Sequence, residues 1–171
     1  MAFFVLRRAL LLALRVRVVY SPDTLDALHS EACIVTCNHV SLVDGIIVAL
    51  AAPLPMAFAV DTDWARRATV AATGLRVLSW LGLGRVVPLD ARAPYGMRSL
   101  MRELLAGHSV MVFPEGEISF NGQRGSDRPG VTWLQDRTGA TNVTLRIEGA
   151  ERSRLFAKSG REWWPPIRLE F

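Results

Sequence analysis

Two apolar runs, each stopping at a polar turn, constrain this chain most. The first is Ile34-Val35-Thr36, and it leads into Asn38-His39-Val40-Ser41-Leu42-Val43-Asp44-Gly45. A short run rich in β-branched residues predicts a strand. Ser41, with Asp44 three positions on, has the pattern that opens a helix. His39 then falls in the strand-to-helix turn. On one continuous helix His39 and Asp44 would stand about 140° apart, so they meet only if the chain bends between them. A strand-turn-helix supplies that bend. A carboxylate that fixes one imidazole tautomer leaves the other ring nitrogen able to take a proton from a hydroxyl. The same Ser and Asp also make an ordinary helix cap, and that alternative stays open.

The second run is Val110-Met111-Val112-Phe113, followed by Pro114-Glu115-Gly116. If both strands lie in one parallel sheet, both turns stand at its carboxyl edge, where ligands bind in open α/β folds. The rest of the chain alternates in the same way. Arg15–Tyr20 alternates Arg and Val as a half-exposed strand would, and Asp44–Ala52 reads as a helix stopped by Pro53. Met56–Val60 reads as a strand, Asp63–Leu81 as one or two helices, and Val86-Val87 as the start of a short strand. Tyr95–Ala106 is a helix closed by Gly107, Ser109–Phe113 a buried strand, and Pro129–Gly139 a helix. Asn142–Ile147 is a strand and Ile167–Phe171 an edge strand. The expected fold is a single α/β domain with a mostly parallel central sheet flanked by helices. Between Pro114 and Arg128 runs a loop rich in Gly, Asn, Ser and Asp. It reads either as a lid that binds a substrate or as a plain connection.

A length of 171 residues suits one domain with a substantial core. Half the residues are apolar, yet no run approaches the roughly 20 residues of a spanning helix. The net charge is +4, and of the twenty basic residues only Lys158 is lysine. These residues are dispersed, without a repeated basic-aromatic pattern, which excludes a nucleic-acid reading. Met1 to Leu14 is apolar apart from Arg7 and Arg8, and Arg15 and Arg17 follow. The expectation is an interfacial membrane helix over residues 1–14, ahead of the α/β domain at 15–171. Phe3, Phe4 and the leucines would enter lipid while the arginines meet anionic headgroups. A helix packed on the protein's own core is the rival reading.

Several chemistries are missing. There is no G-x-S-x-G elbow, no G-x4-G-K-[ST] loop and no H-E-x-x-H, and Gly82-Leu83-Gly84 is only a fragment of a dinucleotide motif. Cys33 and Cys37 flank the strand that leads into His39; four residues of strand hold their Cα atoms about 13 Å apart, beyond disulfide range. Neither a metal nor a cofactor is expected.

Asn38-His39 with Asp44 matches the N-H-x4-D block, and Phe113-Pro114-Glu115-Gly116 the F-P-E-G block, of the glycerolipid acyltransferases, the family of 1-acylglycerol-3-phosphate acyltransferase. Val86-Val87-Pro88-Leu89-Asp90 resembles the block between them, and Val143 to Glu151 the final strand block. The wording is most similar to the acyltransferase halves of bifunctional 2-acylglycerophosphoethanolamine acyltransferase/acyl-carrier-protein synthetases. Departures from the family pattern are local. Glu117 stands where an arginine usually follows F-P-E-G, Ala91 then Arg92 where an arginine follows the L-D, and Thr144 where proline is usual. Glu117 would repel a phosphate monoester, pair with an amine headgroup, or be a solvated loop charge.

The resemblance implies transfer of a fatty acyl group from an acyl-carrier-protein or coenzyme A thioester to the free hydroxyl of a lysophospholipid or 1-acylglycerol-3-phosphate. His39 would be the base and Asp44 its orienter. Glu115, Gly116, Arg92 and Arg146 are the candidate substrate-binding residues, with backbone N–H groups near Gly116 or after Ser41 as oxyanion donors. A surface ion pair is the plain alternative for each arginine, and a loop-holding role for Glu115. The expected partners are a phospholipid surface and the thioester carrier, at the cytoplasmic face of the cell membrane, with an acyl-carrier-protein synthetase as partner or neighbouring domain. Two other readings stand beside this one. They are an inactive acyltransferase-like lipid-binding domain, and one module of a larger acyl-activating protein.

Overall fold

The computed structural model describes residues 2–61, 73, 74, 77, 79, 82–89, 95–123 and 125–171. Most of the helical stretch expected over Asp63–Leu81 lies outside them, as do Asp90 and the site candidate Arg92.

The described strands are β1 (Val16–Val19), β2 (Ile34–Cys37), β3 (Met56–Asp61), β4 (Gly84–Leu89), β5 (Val110–Val112), β6 (Asn142–Glu148) and β7 (Ile167–Glu170). They form one sheet in the order β1-β7-β6-β2-β5-β3-β4. Every pairing is parallel except β6 with β7. The short apolar runs make the centre of the sheet, as their composition requires. All four residues of β2 and all three of β5 are buried, because both faces of the sheet are covered there. β6 alternates exposed and buried instead, so only one of its faces is covered.

The described α-helices are α1 (Ala2–Ala13), α2 (Pro22–Ser30), α3 (Asp44–Ala51), α4 (Tyr95–Leu105) and α5 (Gly130–Thr138), the last closed by Gly139 in the left-handed region at φ 68°. Side chains alternate across β2, sending Val35 and Cys37 to one core layer with Ile47 and Leu50 of α3. Ile34 goes to the other layer with Leu100 and Leu104 of α4 and Leu134 of α5. The helices therefore cover β2, β5 and β3 on both sides and leave one face of β6 and β7 open.

Three expectations are corrected. Ile167–Phe171 is not at the edge, since β7 lies between β1 and β6; alternation marks a half-buried strand whether or not it has two neighbours. The helix expected over Asp44–Ala52 runs from Asp44 to Ala51, but its N-cap is Val43 rather than Ser41. Arg7, expected among headgroup-facing arginines, turns inward. Its guanidinium donates from Nε to the Leu50 carbonyl at 2.7 Å and from Nη2 to the Ala52 carbonyl. The Tyr20 hydroxyl donates to the Ala51 carbonyl at 2.6 Å. The last carbonyls of a helix lack intrahelical donors, and here Arg7 of α1 and Tyr20, just after β1, supply them.

Candidate active site

β2 ends at Cys37, and Asn38 continues its ladder with a side chain. Asn38 Nδ2 donates to the Ile147 carbonyl at 2.8 Å, and the Ile147 N–H donates to Asn38 Oδ1 at 2.8 Å. Only an amide carries a donor and an acceptor side by side, so it can replace one residue of backbone pairing while the chain leaves the sheet. Sequence reasoning assigned Asn38 no role; an amide at the end of a buried run was the available signal.

The freed chain makes the turn that the His39–Asp44 spacing demands. Asp44 is fully buried, and its Oδ2 accepts from His39 Nδ1 at 3.0 Å and from the Val40 and Ser41 N–H groups, both at 2.7 Å. The Ser41 hydroxyl donates to Oδ1. Half of the expected capping box is present: the carboxylate reaches back to the Ser41 N–H, but Ser41 Oγ accepts from Val43 at 3.3 Å rather than from Asp44. An oxygen that already accepts two amide hydrogens must also be the acceptor toward the ring. Nδ1 therefore carries the hydrogen, and the lone pair of the neutral ring lies on Nε2. The imidazole stacks on Phe113 with centroids 4.1 Å apart and planes at 17°, and 13% of its side-chain surface is exposed.

The second turn meets the first because β2 and β5 are paired, with Thr36 opposite Val112. Glu115, nearly buried, accepts the His39 N–H on Oε1 at 2.9 Å and the Gly125 N–H on Oε2 at 2.7 Å. It fastens two turns and the following loop together. Gly116 has φ +72°, and a Cβ placed on it would lie 2.5 Å from Arg128 Nε. The loop beyond is tied at several points: Ser119 N–H to the His39 carbonyl at 2.8 Å, Arg128 N–H to the Pro114 carbonyl at 2.8 Å, and Lys158 Nζ to the Ile118 carbonyl at 2.8 Å. Glu117 is exposed and pairs with Arg128 at 3.2 Å, the solvated-charge alternative for that residue.

His39, Asp44, Glu115 and Gly116 are thus brought together at the carboxyl edge of the sheet. Arg146 is not among their partners. It lies on the open face of β6, mostly exposed, and pairs with Glu148 at 2.9 Å. Residues two apart on a strand share a face, which makes this pair local. The amides proposed as oxyanion donors also have acceptors: Gly116 N–H bonds the Phe113 carbonyl, Leu42 N–H the Phe156 carbonyl, and Val43 N–H the Ser41 hydroxyl. Cys33 and Cys37 are both buried, and burial, then Glu31, pushes the Cys33 thiol pKa up. No group of three His, Cys, Asp or Glu side chains suited to a metal occurs among the described residues.

A family model described as Acyltransferase matches residues 17–148, from β1 through the last residue of β6. The chain belongs to the acyltransferase family. Both turns of the site fall within the matched span. The acyltransferase fold is also that of the crystal structure of the 1-acyl-sn-glycerophosphate (LPA) acyltransferase PlsC from Thermotoga maritima. The two superpose with a TM-score of 0.65 at 21% sequence identity, over 99% of this chain. This acyltransferase chain spans 65% of the length of that protein.

Proposed function

We propose that this acyltransferase moves a fatty acyl group from a thioester to the free hydroxyl of a lysophospholipid or 1-acylglycerol-3-phosphate, with His39 as general base. The observation that carries the proposal is the 3.0 Å contact of His39 Nδ1 with the fully buried Asp44 carboxylate, at the turn that bears the N-H-x4-D block.

A lipid hydroxyl is a poor nucleophile while it holds its proton. His39 Nε2 accepts that proton as the oxygen attacks the thioester carbonyl, and Asp44 stabilises the imidazolium that forms. The tetrahedral centre collapses, the C–S bond breaks, and the thiolate leaves. A thiol with pKa of about 8.5 is an adequate leaving group, and the imidazolium gives its proton to the departing thiolate, which leaves as the thiol and returns the ring to its neutral state. No covalent enzyme intermediate is needed. Glu115 acts in this scheme through the backbone, by holding the His39 turn against the F-P-E-G turn. The phospholipid surface is approached through α1 on the cytoplasmic side, and the acyl group arrives on acyl carrier protein or coenzyme A.

The test is product formation from acyl-carrier-protein and coenzyme A thioesters with a panel of lysophospholipids and 1-acylglycerol-3-phosphate. Acylated product with one donor class supports the proposal. No product from folded protein with any pair would overturn it and favour a lipid-binding acyltransferase-like domain.

A further inference from the structure

Helix α1 presents its faces in the reverse of the usual order for a helix that only packs on its own protein. The inward side carries Arg7, bonded to α3, with Leu11 and Leu14 against the core. The outward side carries Val5 and Leu12, 61% and 67% exposed, with Phe4 exposed beside them. A surface helix ordinarily turns its polar face to water.

A second segment, 151 positions later in the chain, is clipped to the end of this helix. Trp164 Nε1–H donates to the Ala13 carbonyl at 2.9 Å, and Arg15 Nη1 donates to the Trp164 carbonyl at 2.7 Å. These bonds set Trp163 and Trp164, 62% and 45% exposed, next to the end of α1 where Leu12 is bare. The Arg154 guanidinium lies 4.7 Å above the Trp163 ring. The unpaired charge around them is basic, since Glu162, the neighbour of Trp163, is paired with Arg152 at 3.3 Å. The first acidic residue of the chain is Asp23, and Arg8, Arg154 and Arg161 have no carboxylate partner among the described residues. Exposed tryptophan beside unpaired arginine is the composition of a segment seated at a membrane interface, with the ring at headgroup depth and the cation on anionic lipid.

We propose that Trp163, Trp164 and Arg154 form a second anchor, which docks on an anionic bilayer together with the outer face of α1. The inference rests on the membrane reading of α1 and adds to it. One helix lying on a surface is free to roll about its axis, whereas a helix and a fixed loop define an orientation. Because α1 packs on α3, whose first residue is Asp44, that orientation is imposed on the site.

The experiment is co-sedimentation of the full chain with vesicles of phosphatidylcholine alone and of phosphatidylcholine with phosphatidylglycerol. Wild type is compared with Trp163→Ala, Arg154→Gln and the pair Val5→Asp/Leu12→Asp, all exposed positions, with melting curves as the folding control. Trp163→Ala should weaken binding to both vesicle types by about tenfold, from apolar area withdrawn from lipid. Arg154→Gln should weaken binding about fivefold on the anionic vesicles and leave phosphatidylcholine binding unchanged. Val5→Asp/Leu12→Asp should release the protein from both. If that pair releases the protein while Trp163→Ala and Arg154→Gln bind as wild type, α1 is the sole anchor and the inference is overturned. Absence of wild-type binding to either vesicle would overturn the membrane reading itself.

Discussion

Glu115 holds His39 by its backbone: Oε1 accepts the His39 N–H at 2.9 Å, while Oε2 accepts the Gly125 N–H from across the loop at 2.7 Å. Of the two roles read for Glu115, substrate binding and loop holding, these bonds belong to the second: it joins the segments that form the site. Glu115→Ala would leave two poorly solvated N–H groups without an acceptor, at about 1–3 kcal/mol each. Thermal melting should fall by several degrees, and acyl transfer should fall with it. Glu115→Gln should lie between, since its amide nitrogen faces one of those donors. Unchanged stability in Glu115→Ala would show that the bridge is dispensable.

Asp44 has two duties, and two substitutions separate them. Asp44→Asn keeps an oxygen for the Val40 and Ser41 N–H groups but loses the charge that stabilises the imidazolium. Its kcat should drop about 100- to 10,000-fold with little change in melting temperature or KM. Asp44→Ala also strands the buried donors, so its unfolding free energy should fall by about 2–4 kcal/mol. Denaturant unfolding and steady-state kinetics on both variants check this. Equal kinetic and stability losses in Asp44→Asn would contradict the division.

Gly116 is required by its backbone and by its neighbour. At φ +72° an L side chain costs about 1–2 kcal/mol, and the added Cβ would displace the Arg128 side chain that pairs with Glu117. Gly116→Ala should therefore lower unfolding free energy by about 1–2 kcal/mol, read by denaturant titration. A variant as stable as wild type would mean that the turn relaxes without strain.

Tyr20 closes the far end of the helix that Asp44 opens. Burial raises the pKa of its phenol, and Arg7 partly offsets this by favouring the anion. A folded pKa above the unfolded value of 10.0 means that the unfolded chain loses the proton first. The contribution is complete below pH 10.0 and is lost as pH rises from there through the folded pKa. Tyr20→Phe should cost about 1 kcal/mol at neutral pH, for the bond to Ala51. It should also flatten the alkaline decline in stability. An identical alkaline profile in the variant would assign the decline to other groups.

The centre of the fold is readable in the sequence because it is buried on both faces. Ile34-Val35-Thr36 and Val110-Met111-Val112 announce themselves by composition, and the polar turns behind them fix where a site must lie. The His39–Asp44 pair is readable because its spacing is useless on a straight helix and apt in a turn. Other features depend on partners that sequence distance hides. Nothing near Arg7 indicates that the Leu50 and Ala52 carbonyls, more than forty residues away, lack donors. Asn38 reveals its bridging role only once β6 is known to lie beside β2. Ile167–Glu170 reads the same at an edge as between two strands. Arg146 is the local case, since Glu148 stands two residues away on the same face and gives it the ion pair that is its plain alternative.

The most direct test of the central claim is the rate of acyl transfer by His39→Ala against wild type. The substitution keeps the backbone bonds to Glu115 and Ser119, so the turn should persist and melting should change little. With the base removed, kcat/KM should fall at least about 100-fold. A folded His39→Ala protein that transfers acyl groups within a few-fold of wild type would contradict the account.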